Sequence, residues 1–197
     1  RRLESFERLA DRFKGERAIF IYVRDVWSVP RDLMGYRDFL LGCLKKPDLV
    51  SAIVEKGVDH SIKIAERAAD MGADIVFTGD DIADNQRTLV SPETWEEIFA
   101  PHFRRLVESI HGLGLLHWKH SDGNITGVID SLVEAGIDGI DPIDPLAGME
   151  LANIKEKYGD RIALKGNVSC VTTLVNGSKN DVVEEVKTCI RIAGPGG

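Results

Sequence analysis

His120-Ser121-Asp122-Gly123-Asn124 places an imidazole two residues from a carboxylate, and Asp80-Asp81 brings two more carboxylates together. Side chains of these types move protons, grip polar substrates or bind a cation. Three further runs share their polar character: Arg24-Asp25-Val26-Trp27, Asp141-Pro142-Ile143-Asp144-Pro145 and Gly166-Asn167-Val168-Ser169-Cys170. Each also has a structural reading. Asp80 and Asp81 can cap a loop or the next helix through backbone N–H groups, and Asp141 and Asp144 lie beside prolines where aspartate favours turns. His120 can be an ordinary half-buried histidine, but the neighbouring Gly123, able to admit a ligand close to the backbone, favours a functional role. His117 and His120 fall in what reads as a strand and are three residues apart, so they face opposite ways and do not share a metal ion. Cys43 and Cys189 read as packing residues, leaving Cys170 as the thiol near these runs.

Each polar run follows a short apolar stretch. Residues 18–23, 73–78, 115–120, 137–140 and 161–165 read as strands, and 3–13, 47–71, 91–111, 125–135, 149–158 and 181–193 read as helices. Ser91-Pro92-Glu93 is a helix start, with a hydroxyl cap, proline in the first turn and an acid near the positive end of the dipole. Gly72, Gly136 and Gly159 stand where helices should stop. Strands that alternate with helices pair in parallel, because each crossover returns the chain to the same end of the sheet. The polar runs then collect at the carboxyl ends of the strands, where a doubly wound sheet and a (β/α)8 barrel both build their sites. No glycine-rich phosphate fingerprint follows the first strand, which weakens the dinucleotide-binding version. Periodicity alone leaves both folds open; the barrel is favoured.

At 197 residues the chain suits a single domain, 1–197, and falls short of the roughly 250 typical of a complete eight-unit barrel. Hydrophobic residues at 43% and charged residues at 29% are the balance of a globular protein rather than a disordered one. The net charge of -7 argues against nucleic acid as the main partner, since a phosphate-binding surface needs clustered Lys and Arg. No apolar run is long enough to span a membrane. Arg1-Arg2-Leu3-Glu4-Ser5-Phe6 lacks the apolar core of a secretory signal, and the absence of an initiator Met suggests a start inside a longer protein. Three scattered cysteines point to a reducing compartment, hence the cytoplasm.

Ordered along the chain, Gly72-Ala73-Asp74, Gly79-Asp80-Asp81, Leu89-Val90-Ser91-Pro92, Pro101, His120-Ser121-Asp122-Gly123-Asn124, Gly136-Ile137-Asp138-Gly139-Ile140-Asp141-Pro142, Ala147-Gly148-Met149, Lys155-Glu156-Lys157-Tyr158-Gly159 and Lys165-Gly166-Asn167 resemble the uroporphyrinogen decarboxylase family over nearly the whole chain. The resemblance implies a (β/α)8 TIM barrel, here about five of its eight units, with both ends missing and the site at the C-terminal mouth. It implies two chemistries. One branch decarboxylates uroporphyrinogen acetate arms without metal or cofactor; the other moves methyl groups to or from a corrinoid protein, several members holding zinc through a His-x-Cys pair and a later Cys. The His120 stretch is more similar to the second branch, although Asp122 stands where its first Cys would be.

The expected roles follow from the same resemblance. His120, Asp80 and Asp81 are the expected catalytic residues, and Arg24, Asp122, Asp144 and Asn167 the expected substrate-binding ones. If a metal is bound, His120 and Asp122 are ligands, with a third beyond Gly194-Pro195-Gly196-Gly197; if none is bound, His120 donates a proton or hydrogen-bonds substrate. A methyltransferase fed by a small methylated donor and a separate corrinoid protein is the first expectation, cofactor-free decarboxylation the second, and a catalytically silent binding barrel the third. Trp27, Trp95 and Trp118 can be core or interface, and two unpaired strand edges would favour a homodimer.

Overall fold

Five short strands pair in parallel in the order in which the chain makes them: β1 (Phe20–Val23), β2 (Ile75–Gly79), β3 (Leu116–His120), β4 (Gly139–Asp141) and β5 (Ala163–Leu164). A doubly wound sheet reverses its strand order at a switch point. An unbroken consecutive order, with a helical crossover at every step, is that of a (β/α) barrel, whose right-handed crossovers keep the helices outside. The chain therefore supplies five successive units of such a barrel. The computed structural model describes residues 3–196.

Helix α1 (Glu4–Phe13) precedes β1, and three helices, α2 (Ser28–Met34), α3 (Tyr36–Lys45) and α4 (Pro47–Asp70), lie between β1 and β2. The sequence reading missed α2 and α3, where Pro30, Gly35 and Gly42 interrupt the apolar period; Gly35, at φ 80°, separates the two helices. Proline opens α4 as expected, and Gly72 follows it at φ 92°. Between β2 and β3, α5 (Pro92–Thr94) runs through a π turn (Trp95–Phe99) into α6 (Ala100–Gly112), and the Ser91 hydroxyl accepts from Thr94 N–H at its start. Next come α7 (Ile129–Glu134), a 3-10 turn (Pro145–Ala147), α8 (Leu151–Tyr158), α9 (Thr173–Asn176) and α10 (Lys179–Ala193). A Ser178–Asp181 capping box starts α10 two residues ahead of the expected 181.

The strands have two unlike faces. Ile21, Val23, Val76, Thr78, His117, Lys119 and Ile140 are buried and alternate with residues of the opposite face. On the buried side Trp27, Phe39 and Phe99 pack with ring centroids 4.7 and 5.2 Å from Trp27, and Trp95 stacks on Phe99 at 5.7 Å. Trp27 and Trp95 are thus core. The inner face is open: Phe20, Tyr22 and Leu116 are 47%, 52% and 50% exposed, with Phe77 and Trp118 half-buried between them. Helix α10 contributes no buried residue, so Cys189, expected in the core, is half-buried at its margin.

Candidate functional site

Alternation along the strands sorts the polar residues at their carboxyl ends. Lys119 points to the helix side and is fully buried; its ammonium donates to Asp25 Oδ2 at 2.6 Å and to the Asp80 carbonyl at 2.8 Å. Asp80 Oδ2 accepts from the N–H groups of Ser28 (2.9 Å), Trp27 (3.3 Å) and Asp25 (3.3 Å). Burial raises the Asp80 carboxyl, but its contacts with Asp25, Lys119 and Ser28 outweigh burial and hold it well below the usual range. Burial, and then the charge of Asp80, push Asp25 the other way. Asp80, expected as a catalytic partner of Asp81, is therefore withdrawn from the mouth: it fastens the β1–α2 connection to β2 and β3.

The next residue on each strand faces inward. His120 Nε2 lies 3.5 Å from Asp81 Oδ1 and 3.9 Å from Asp122 Oδ1, while its Nδ1 lies 3.5 Å from Asp141 Oδ1. Register pairs His120 with Asp141 across β3 and β4. Asp141 is nearly buried and held in place: Trp118 Nε1 donates to its Oδ1 at 3.2 Å, and Lys165 Nζ ion-pairs its Oδ2 at 2.7 Å. The Asp141 carboxylate raises the His120 pKa above its ordinary value, against the effect of burial. Burial raises Asp141, yet His120 and Lys165 bring it below its usual range. Burial and the facing Asp81 raise Asp122. One ligand atom each from Asp81, His120 and Asp122 lie within 4.8 Å of one another, which is a grouping able to hold a metal ion.

The other expected site residues stand apart from this cluster. Arg24 ion-pairs Asp32 at 2.9 Å. Asp144 caps the turn after β4, accepting from Leu146 N–H at 2.9 Å, and takes a longer bond from Gly123 N–H at 3.3 Å. Asn167, at φ 63°, donates its carboxamide to the Ile143 and Met149 carbonyls at 2.8 and 3.1 Å and so pins the β4–α8 connection. Gly123, at φ 87°, does admit a close approach, but of its own protein: a Cβ there would stand 2.6 Å from the Asp84 carbonyl oxygen. The third ligand expected beyond Gly197 lies outside the chain; among the described residues Asp81 is the group that lies with His120 and Asp122. His117 faces away from His120, as expected, sharing a 3.1 Å hydrogen bond with Thr78. Sequence reasoning treated Asp141 as a turn residue and passed over Lys165 and Trp118. The β3–β4 register brings Asp141 beside His120 and the β4–β5 pairing brings Lys165 to Asp141, and register is not written in any one segment.

Consecutive parallel units with a polar cluster at the strands' carboxyl ends define the chain as part of a barrel enzyme scaffold. The family model for uroporphyrinogen decarboxylase (URO-D) matches residues 2–197, and the chain belongs to that family. It is 24% identical to methylcobamide:CoM methyltransferase MtaA of Methanosarcina barkeri over 83% of this chain and 46% of that one. Identity is 21% to a methylated-thiol–coenzyme M methyltransferase of Methanosarcina mazei, over 95% and 49%. A chloroplastic uroporphyrinogen decarboxylase of Nicotiana tabacum is 24% identical over 77% and 37%. The chain thus spans less than half the length of these curated relatives. A solved methyltransferase from Methanosarcina mazei superposes with a TM-score of 0.82 over 99% of this chain and 55% of that one, at 24% identity, which establishes the shared fold.

Proposed function

We propose that this chain carries much of the active site of a methyltransferase that moves a methyl group between a small methylated donor and a corrinoid protein or thiol. The observation that carries the reading is the inward-facing cluster of His120 with Asp81, Asp122 and Asp141. Uroporphyrinogen, with its many carboxylates, calls for a mouth that offers arginines. Here carboxylates surround the imidazole, the Lys165 ammonium is already paired with Asp141, and Arg24 is paired with Asp32. Decarboxylation remains the second reading on the strength of the Nicotiana tabacum relative. The Methanosarcina barkeri and Methanosarcina mazei methyltransferases align over 83% and 95% of the chain, against 77% for that decarboxylase.

The corrinoid would come on a separate protein. The residues present fit a divalent cation, zinc by the family resemblance, held by His120 and Asp122; bound there it would act as a Lewis acid toward a thiol or a methyl-bearing atom. The chain's own part is orientation and charge. Asp141 stands 3.5 Å from His120 Nδ1, the ring's Nε2 faces Asp81 and Asp122, and Lys165 and Trp118 hold Asp141. In the absence of a cation, the raised pKa of His120 suits it to donate a proton to a leaving group. Cys43, Cys170 and Cys189 are free thiols, in keeping with a cytoplasmic setting.

The test is methyl exchange followed by the cobalamin spectrum, with methylcobalamin and a thiol in one direction and cob(I)alamin with small methylated donors in the other. Wild type should turn over and His120→Ala should lose at least a hundredfold, the usual scale for losing a positioned acid–base group. Release of carbon dioxide from uroporphyrinogen, with no change in the cobalamin spectrum, would put decarboxylation in its place.

A further inference from the structure

We infer that the inner face of the strands, one row below the mouth, binds a small methylated onium ion, a quaternary ammonium or a sulfonium, on the rings of Tyr22, Phe77 and Trp118. Use of that ion as the methyl donor rests on the methyl transfer proposed above; its binding does not.

Register sets the three rings in one row: Tyr22 pairs with Phe77, Phe77 with Trp118, and Trp118 with Gly139. The next row toward the mouth is Gly79, His120 and Asp141. Parallel barrels fill such layers mainly with Val, Ile and Leu. This layer is aromatic instead, and glycine takes away the two side chains that would crowd it. A Cβ on Gly139 would stand 2.5 Å from the Trp118 ring, and one on Gly79 would stand 2.8 Å from the Tyr22 ring. Glycine inside a strand marks a place of close approach, and here the rings use it to lie across the neighbouring strand. The Tyr22 hydroxyl donates to the Gly79 carbonyl at 3.1 Å, and Trp118 Nε1 donates to Asp141 Oδ1 at 3.2 Å, which ties both rings down. Tyr22 and Phe77 meet with centroids 6.1 Å apart. Tyr22 is 52% exposed and the other two rings are half-buried, so the floor is open to a ligand.

A cation already rests on this floor. Lys165 Nζ lies 5.9 Å from the ring centroids of both Phe77 and Trp118, within the roughly 6 Å over which the negative face of a ring attracts positive charge. Its side chain is 62% exposed and free to extend into water, yet it leans over two rings to reach Asp141. An onium ion fits the ring surface that Lys165 leaves uncovered. It has no N–H groups to satisfy, its methyl groups pack on the rings, and its charge is drawn to their faces. An uncharged methyl ether gains the packing without the attraction, and the carboxylates at the rim repel an anion. In methyl transfer the C–N or C–S bond breaks with its electron pair leaving on the heteroatom, as a neutral amine or sulfide. The new bond to carbon is made by the electron pair of the acceptor, a thiolate or a reduced corrinoid, and no proton has to be delivered.

The experiment titrates dilute protein with choline and with 3,3-dimethylbutan-1-ol, the uncharged molecule of the same shape, following tryptophan fluorescence and the heat of binding. Trp27 and Trp95 are sealed in the core, so a fluorescence change reports Trp118. Choline should bind about tenfold more tightly than the alcohol. Tyr22→Leu and Phe77→Leu keep an apolar side chain but remove a ring. Each should weaken choline about three- to tenfold, the scale of one cation–π contact, and leave the affinity for the alcohol as it was. The exposed Tyr22 can be replaced without moving the unfolding midpoint, which separates loss of the ring from loss of the fold. No binding of choline, equal affinity for choline and the alcohol, or wild-type affinity for choline in both ring variants would each overturn the site. Choline bound but not demethylated in the cobalamin assay would overturn its role as donor and leave the site standing. Methyl transfer from uncharged donors by a protein that does not bind choline would overturn the site and leave the proposed function intact.

Discussion

At the scale of single residues, two histidines three positions apart live in opposite environments. His120 is poised among carboxylates, whereas burial pushes the pKa of His117 down to about 3. An exposed histidine titrates near about 6.5. Between those values the unfolded chain holds a proton that the folded chain refuses, so stability rises with pH across that window and is lost as pH falls through it. One such group gives a slope approaching about 1.4 kcal/mol per pH unit. Urea unfolding of wild type and His117→Asn at a series of pH values from about 4 to 6.5 isolates that slope. The variant should show a shallower dependence whatever its absolute stability, and equal slopes would remove His117 as the source. The residue scale is also where the sequence was most ambiguous. His120 and Asp81 were legible as mouth residues because they follow apolar runs. Asp80 was not separable from Asp81, because strand phase decides which of two adjacent carboxylates meets the helices, and phase depends on where the strand ends.

Among the elements, the buried Lys119–Asp25–Asp80 group joins β3, the end of β1 and the end of β2 beneath the helices. Removing one partner of a buried ion pair typically costs about 3–5 kcal/mol, since the remaining charge is left unpaired. Lys119→Met should therefore lower the unfolding free energy by that order, and Lys119→Met with Asp25→Asn should recover part of the loss. A cost below about 1 kcal/mol for the single variant would mean that these charges do not anchor the strand ends. The strands and long helices were legible from period and caps: Ser91 and Pro47 open helices as read. Helices α2 and α3 were hidden by the proline and glycines inside them. The short strands β4 and β5 were placed within one or two residues, and their pairing partners came only with the fold.

Across the described residues, the inner face of the sheet is open, with Phe20, Tyr22 and Leu116 about half exposed and β1 and β5 each paired on one side. Open strand edges beside apolar surface invite pairing with another chain. The 197-residue chain taken alone should self-associate as its concentration rises, and Phe20→Lys with Leu116→Lys should shift it toward monomer; sedimentation measures both. A monomeric wild type at high concentration would show that this face is content in water. The barrel itself was legible only as one of two parallel folds until ordered motifs supported it, because helix–strand alternation fixes parallel pairing but not the order of the strands.

Neighbours in sequence here belong to different solvents. Asp80 and Lys119 sit in the dry interior, while Asp81 and His120, one step further along, look onto the open mouth. A one-residue deletion in β3 would exchange its two assignments, carrying an ammonium toward the mouth and an imidazole into the core, and one in β2 would exchange Asp80 with Asp81. Substitution has no such consequence. The inward positions can change chemical identity one at a time while the outward ones go on holding the strands, so such a scaffold can be altered in what it binds without being rebuilt in how it folds.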